Sequence, residues 1–161
     1  MGSGKTSVGK RLSQLLNKNF LDMDEIIQHD LGMTIKQIFQ QKGESFFRSK
    51  EHDLVKSLDS QSNSVITTGG GIVLDQRNIA SLSKHSIIVY LKCDFDTIVQ
   101  RIKSENNRPL FVLEELEKFE QIFTSRIHLY EESAHFIFHI NEQSIDQLAV
   151  EIAQMVKKKE L

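Results

Sequence analysis

Apolar residues recur along this chain first at helical spacing and then in short unbroken runs, and the two patterns alternate from end to end. Over residues 7–17, Val8, Leu12, Leu15 and Leu16 fall on one stripe, which predicts a helix. Residues 19–23 predict a short strand. Helices follow over 24–31 and 34–41, the second with Thr34 as cap and Ile35, Ile38 and Phe39 as its apolar face. Gly43 punctuates, and a longer helix is predicted over 44–58. After a polar loop, the β-branched run 64–68 leads as a strand into Gly69-Gly70-Gly71. A short helix is expected over 75–82. The apolar run 86–91 reads as a parallel strand covered on both faces. Helix over 94–104, an irregular polar stretch over 105–113 with Pro109, helix over 114–132, strand over 136–140 and helix over 144–159 complete the pattern. Strands alternating with helices imply βαβ units, and so a three-layer α/β/α domain around a parallel sheet.

Composition narrows the class. At 161 residues, 39% hydrophobic and 26% charged, the chain suits one globular domain over 1–161. A net charge of −2 leaves no basic excess to displace counterions, so no nucleic-acid partner is expected. Lys157-Lys158-Lys159 complements a helix C-terminus instead. No apolar run approaches the roughly 18 residues of a membrane span, and Lys5, Lys10 and Arg11 interrupt any signal-peptide core. The single cysteine, Cys93, fits a buried small hydrophobe in a reducing cytoplasm. The six histidines show no zinc-ligand spacing. A cytoplasmic monomer is the expectation.

The chemistry is concentrated in a few short motifs. Met1-Gly2-Ser3-Gly4-Lys5-Thr6 reads as the second half of a phosphate-binding loop. Gly2 and Gly4 let successive N–H groups face phosphate oxygens, Lys5 brings a mobile cation, and the Thr6 hydroxyl suits Mg2+. The helix beginning near Ser7 would aim its dipole at the same anion. Alone, six residues also fit a tight turn before a helix. Asp22 and Asp24, two apart at a strand exit, would face one side, one acid toward Mg2+ and the other toward an acceptor hydroxyl. Acids favoured at a helix start would look the same. Glu44, Arg48 and Glu51 share a helix face, either as a surface ion-pair ladder or with Arg48 as a fork for a carboxylate aimed by Glu51. Three glycines after a strand permit close backbone approach to a ligand. Arg108-Pro109-Leu110 lies where a lid is expected, and Arg126 and Tyr130 project together one helical turn apart.

As a set, residues 2–6, Leu21-Asp22-Met23-Asp24, Phe47-Arg48 with Glu51, Gly69-Gly70-Gly71, Arg108-Pro109-Leu110 and Arg126 with Tyr130 resemble the shikimate kinase family. The order and spacing match from residue 1 to at least residue 134. The resemblance implies ATP-dependent phosphorylation of the shikimate 3-hydroxyl, in aromatic amino-acid synthesis, with Mg2+. It implies the P-loop NTPase fold of the nucleoside-monophosphate-kinase type. In that fold a five-stranded parallel sheet carries its central strand just before the phosphate loop, and that first strand is missing here. A substrate-binding helical region near 24–58 and a lid near 105–117 are implied too. Carried over, ATP would contact Gly2, Ser3, Gly4, Lys5, Thr6, Ser7, Arg101 and Arg108, and Mg2+ would involve Thr6 and Asp22. Shikimate would meet Asp24, Arg48, Gly70 and Arg126, with Lys5, Asp24 and Arg108 as the catalytic groups. Phe39 and Phe47 would line the ring pocket or serve equally as core. Two other readings compete: a related small-metabolite or nucleotide kinase, and a truncated ATP-binding remnant with little activity. The carboxylate-binding arginines and Arg108-Pro109-Leu110 argue against the former.

Overall fold

A computed structural model describes residues 3–58, 63–106, 113–140 and 143–159, with the side chains of 101–106 and 113–115 excepted. The elements run α1 (Lys5–Leu16), β1 (Asn19–Asp22), α2 (Met23–Leu31), α3 (Ile35–Lys42), α4 (Glu44–Leu58), β2 (Ser64–Thr67) and a 3-10 turn (Ile72–Leu74). Then come α5 (Gln76–His85), β3 (Val89–Lys92), α6 (Phe95–Asn106), α7 (Leu113–Ser133), β4 (Phe136–His139) and α8 (Ile145–Lys159). Thr34 does cap α3: its side chain accepts from Gln37 N–H while the Gln37 side chain reaches back to the Thr34 backbone.

Two of the elements that depart from the pattern reading do so for identifiable reasons. The apolar run 86–91 is strand only from Val89, because the backbone of Ile88 is committed elsewhere. Its N–H donates to His135 Nδ1 at 2.9 Å, and its carbonyl accepts from the His135 and Phe136 amides. Helix α6 runs on to Asn106 rather than ending near 104, since no glycine or proline intervenes to stop it.

β1 pairs in parallel with β2, placing Asp22 beside Thr67, and β3 pairs in parallel with β4. No ladder joins the two pairs among the described residues. They share a core instead. Val65 of β2 and Val89 and Leu91 of β3 pack into one apolar cluster with Val8 and Leu12 of α1 and Ile152 and Ala153 of α8. Ile66, the next residue of β2, turns to a second cluster with Leu21, Met23, Val55 and Ile72. Successive strand residues point to opposite faces, so these clusters lie on the two sides of the strands and make three layers. Residues 24–58 build a third cluster, around Ile27, Ile38 and Phe47. Among the described residues no helix is long and apolar enough to cross a membrane.

Candidate active site

Helix α1 begins on Gly4, whose backbone sits in the left-handed region at φ 78°, a conformation that costs glycine little. Among the described residues no side chain caps this helix start. Its leading N–H groups, on Lys5, Thr6 and Ser7, therefore stay open for an anion, with the helix dipole behind them. Helix onset is two residues earlier than the apolar stripe suggests, so Lys5 and Thr6 stand on the first turn itself. Ser3 is buried beneath it, and Gly4 and Ser7 are exposed. Gly2 and Arg108 fall outside the described residues. Arg101 is on α6, with its side chain outside them.

The acid pair follows β1. Asp22 is both the last residue of that strand and the cap of α2, its Oδ1 accepting from the amides of Asp24 (3.0 Å) and Glu25 (3.2 Å). Its Oδ2 accepts from Thr6 Oγ1 at 3.0 Å and from Thr67 Oγ1 at 2.9 Å. Thr6 and Asp22, sixteen residues apart, are thus joined at the foot of α1. An all-oxygen pair of this kind fits Mg2+, which keeps most of its waters and takes only one or two protein oxygens. Asp24 does not share a strand face with Asp22, as the two-residue spacing suggests; it stands in the first turn of α2. Even so it faces the glycine turn, where a Cβ on Gly69 would lie 2.8 Å from its Oδ1. Burial pushes the Asp24 carboxyl above its ordinary range and the charge of Asp22 adds to this, while Lys5 and Arg48 work the other way.

Arg48 approaches the same turn from α4. A Cβ on Gly71 would overlap its guanidinium, so a side chain there would push Arg48 out of its place. The guanidinium is held from behind: Nη1 donates to Glu51 Oε2 at 2.9 Å, and Nε and Nη2 donate to Glu44 Oε1 at 3.2 and 3.0 Å. Burial disfavours its charge, but the bonds to Glu51 and Glu44 prevail and raise its pKa. Glu51 is 1% exposed. Burial lifts its carboxyl, and Arg48 opposes that lift. Phe39 and Phe47 contact each other at 5.1 Å, and the Arg48 guanidinium lies over both rings. Phe47 is buried core, whereas Phe39 is half-buried.

The third approach is from α7. Tyr130 donates its hydroxyl to the Gly70 carbonyl and stacks on Tyr90 of β3 at 5.2 Å. Burial raises the Tyr130 phenol; the charge of Arg126, a hydrogen bond from it, and the charge of Arg48 act against that. Asp24 and Arg48 therefore meet the Gly69–Gly71 turn from α2 and α4, and Tyr130, with Arg126 beside it on α7, reaches the same turn. Thr67 and Tyr130 are the contributors whose contacts the motifs did not specify. Parallel register beside Asp22 is the signal that would have found Thr67.

A helix start left open for phosphate, and a restrained guanidinium on a glycine turn at the same end of a parallel sheet, define a class: an α/β kinase of the P-loop type. The comparisons narrow it. The family model for shikimate kinase matches residues 1–157. A shikimate kinase of Sulfurihydrogenibium sp. is 35% identical over 159 residues, covering 99% of this chain and 95% of that protein. One of Streptococcus gordonii is 38% identical over 151 residues, covering 92% and 91%. Among solved structures, shikimate kinase from Acinetobacter baumannii in complex with shikimate superposes with a TM-score of 0.90 at 36% identity, covering 100% of this chain and 90% of that one. The chain belongs to the shikimate kinase family.

Proposed function

We propose that this protein transfers the γ-phosphoryl group of MgATP to the 3-hydroxyl of shikimate, releasing ADP and shikimate 3-phosphate. The observation that carries the reading is the convergence of one acid, Asp24, and one restrained guanidinium, Arg48, on the same glycine turn. Shikimate offers the matching groups, a carboxylate and ring hydroxyls. The likeness to a relative that holds shikimate supports the choice of acceptor.

In this mechanism the open start of α1 seats the ATP phosphates on the N–H groups of residues 2–7, with the Lys5 ammonium beside them. Thr6 and Asp22 would hold Mg2+, which would supply charge neutralisation for the phosphoryl transfer. Arg48 and Arg126 grip the acceptor carboxylate from α4 and α7, and the Gly70 N–H adds a short polar contact. That grip turns the hydroxyl toward the phosphates and lowers the entropy cost of reaction. Asp24 orients the hydroxyl and takes its proton as the new O–P bond forms. Arg108, on the lid near 105–117, answers charge on the transferring group, and Arg101 flanks adenine. Residues 24–58 serve as the acceptor-binding region of a single domain that acts as a cytoplasmic monomer. Incubating folded protein with MgATP and shikimate should release ADP only when shikimate is present. Absence of shikimate-dependent ADP from demonstrably folded protein overturns the reading.

A second expectation isolates one arm of the clamp. Arg126→Ala should weaken shikimate binding by about tenfold to a hundredfold, the scale of one charge-assisted pair of roughly 1.5–3 kcal/mol. ATP binding should stay close to that of the parent. Titrating each ligand separately checks this; lost ATP affinity with normal shikimate affinity would move Arg126 to the nucleotide side.

A further inference from the structure

Helices α4 and α5 pack against each other behind Arg48, and their interface holds two polar side chains that the mechanism above does not use. Asn78 is fully buried at 0% exposure, and His52 is half-buried beside it. Through His52 Nδ1 and Asn78 Oδ1, 2.7 Å apart, the ring donates to the amide carbonyl and fixes the orientation of the amide. That leaves Asn78 Nδ2 buried without a partner. Among the described side chains Glu51 Oε1 is buried without a partner as well. Ser64 Oγ on β2 is the third such atom among the described residues; of the two on α4 and α5, one is an acceptor and the other a donor. A buried polar atom left unpaired is costly, so two complementary ones on the packed helices α4 and α5 call for a shared partner.

Their place on one interface follows from the chain. His52, which bonds Asn78, is the residue after Glu51. Asp75 caps α5 one turn before Asn78, on the same helix face, and its charge reaches the Glu51 carboxyl. Asp75 is itself committed to Arg77, accepting at 2.7 Å from Nη2 and 3.0 Å from the amide. It is therefore not the partner that either orphan lacks. The two atoms do not bond directly, and a single buried water, with two polar partners as its minimum, is what commonly satisfies such atoms.

We propose that Asn78 is a positioning residue for substrate affinity: a water shared by Asn78 Nδ2 and Glu51 Oε1 fixes the Glu51 carboxylate, whose other oxygen sets the aim of Arg48 onto the Gly71 backbone. His52 locks the donor in place, so the chain of support runs from His52 through Asn78, water and Glu51 to Arg48. This rests on the reading of Arg48 as a carboxylate clamp. It adds that the clamp's precision is set by polar residues on α4 and α5 that never touch the ligand.

Steady-state kinetics with shikimate and MgATP provide the test. Asn78→Leu, close in volume and without the amide, should raise KM for shikimate by about three- to tenfold, the scale of one lost hydrogen bond. KM for ATP and kcat should stay within about twofold, because nothing on the phosphate side changes. In a Glu51→Gln background the same substitution should add little further, since its effect passes through Glu51. An Asn78→Leu protein with a lowered melting temperature but an unchanged KM for shikimate, or with both KM values raised alike, makes Asn78 an ordinary structural residue and overturns the proposal. If Asn78→Leu does not fold, His52→Phe frees the amide without altering the fully buried position. It should give the same one-sided rise in KM, and an unchanged value overturns the proposal equally. Arg48→Ala separates the two ideas. If it leaves KM for shikimate unaltered, the clamp reading itself fails; if it raises KM while Asn78→Leu does not, only the role of Asn78 falls.

Discussion

Replacing Asp24 with asparagine is expected to leave a folded, ATP-binding protein whose turnover falls by roughly 10²-fold or more, the usual scale for a positioned base. Asparagine keeps the size and one acceptor oxygen but cannot take a proton from the acceptor hydroxyl. The same change should make the fold more stable at neutral pH. Burial, with help from the charge of Asp22, raises the folded pKa of Asp24 above the ordinary 3.8. Between those two values the folded protein holds a proton that the unfolded chain has released. The stability this confers is complete below 3.8 and disappears as the pH rises through the folded value. At neutral pH an ionised Asp24 is thus a burden on the fold, and Asp24→Asn lifts it. Melting temperatures measured across pH should show the variant above the parent near neutrality, with the gap closing toward 3.8. Parent-like turnover would return Asp24 to the role of a helix-start acid. A variant less stable than the parent at neutral pH would contradict the electrostatics.

Asp22 offers the second large effect, with a built-in control. Asp22→Ala removes the cap of α2, worth about 1 kcal/mol, together with both threonine bonds. Under the proposed mechanism it also removes the acid on the Mg2+ side, so turnover should fall by roughly 10²- to 10³-fold. Asp22→Asn keeps a capping oxygen, and asparagine caps about as well as aspartate. Its melting temperature should lie near the parent's while its turnover falls almost as far as that of Asp22→Ala. Asp22→Asn with parent-like turnover would mean that the charge is dispensable and that Asp22 is only a cap.

Much of this arrangement is legible in the sequence, and the failures are instructive. The bounds of α4 follow from its apolar spacing and from Gly43, and Thr34 caps α3 as its position implies. The acid pair was legible as a pair but not in its geometry. A strand period predicts two carboxylates on one face, yet Asp22 bonds the amides ahead of it and begins a helix, so Asp24 is delivered by a helical turn. The strand expected from residue 86 starts at Val89 because His135, distant in sequence, takes the Ile88 backbone. Asn78 and His52 are illegible for a related reason. Polar residues on amphipathic helices read as solvated, and only packing of α4 on α5 brings these two together across 26 positions.

The contacts of α7 also bear on how the two arginines are set relative to each other. Asp22, Asp24, Arg48 and the glycine turn all belong to the half of the molecule built around β1 and β2. Arg126 arrives on α7, which is fastened to β3 by the Lys92–Glu131 ion pair at 2.7 Å and by the stacked tyrosines. The hydroxyl of Tyr130 on the Gly70 carbonyl therefore ties the helix that carries Arg126 to the turn against which Arg48 is set.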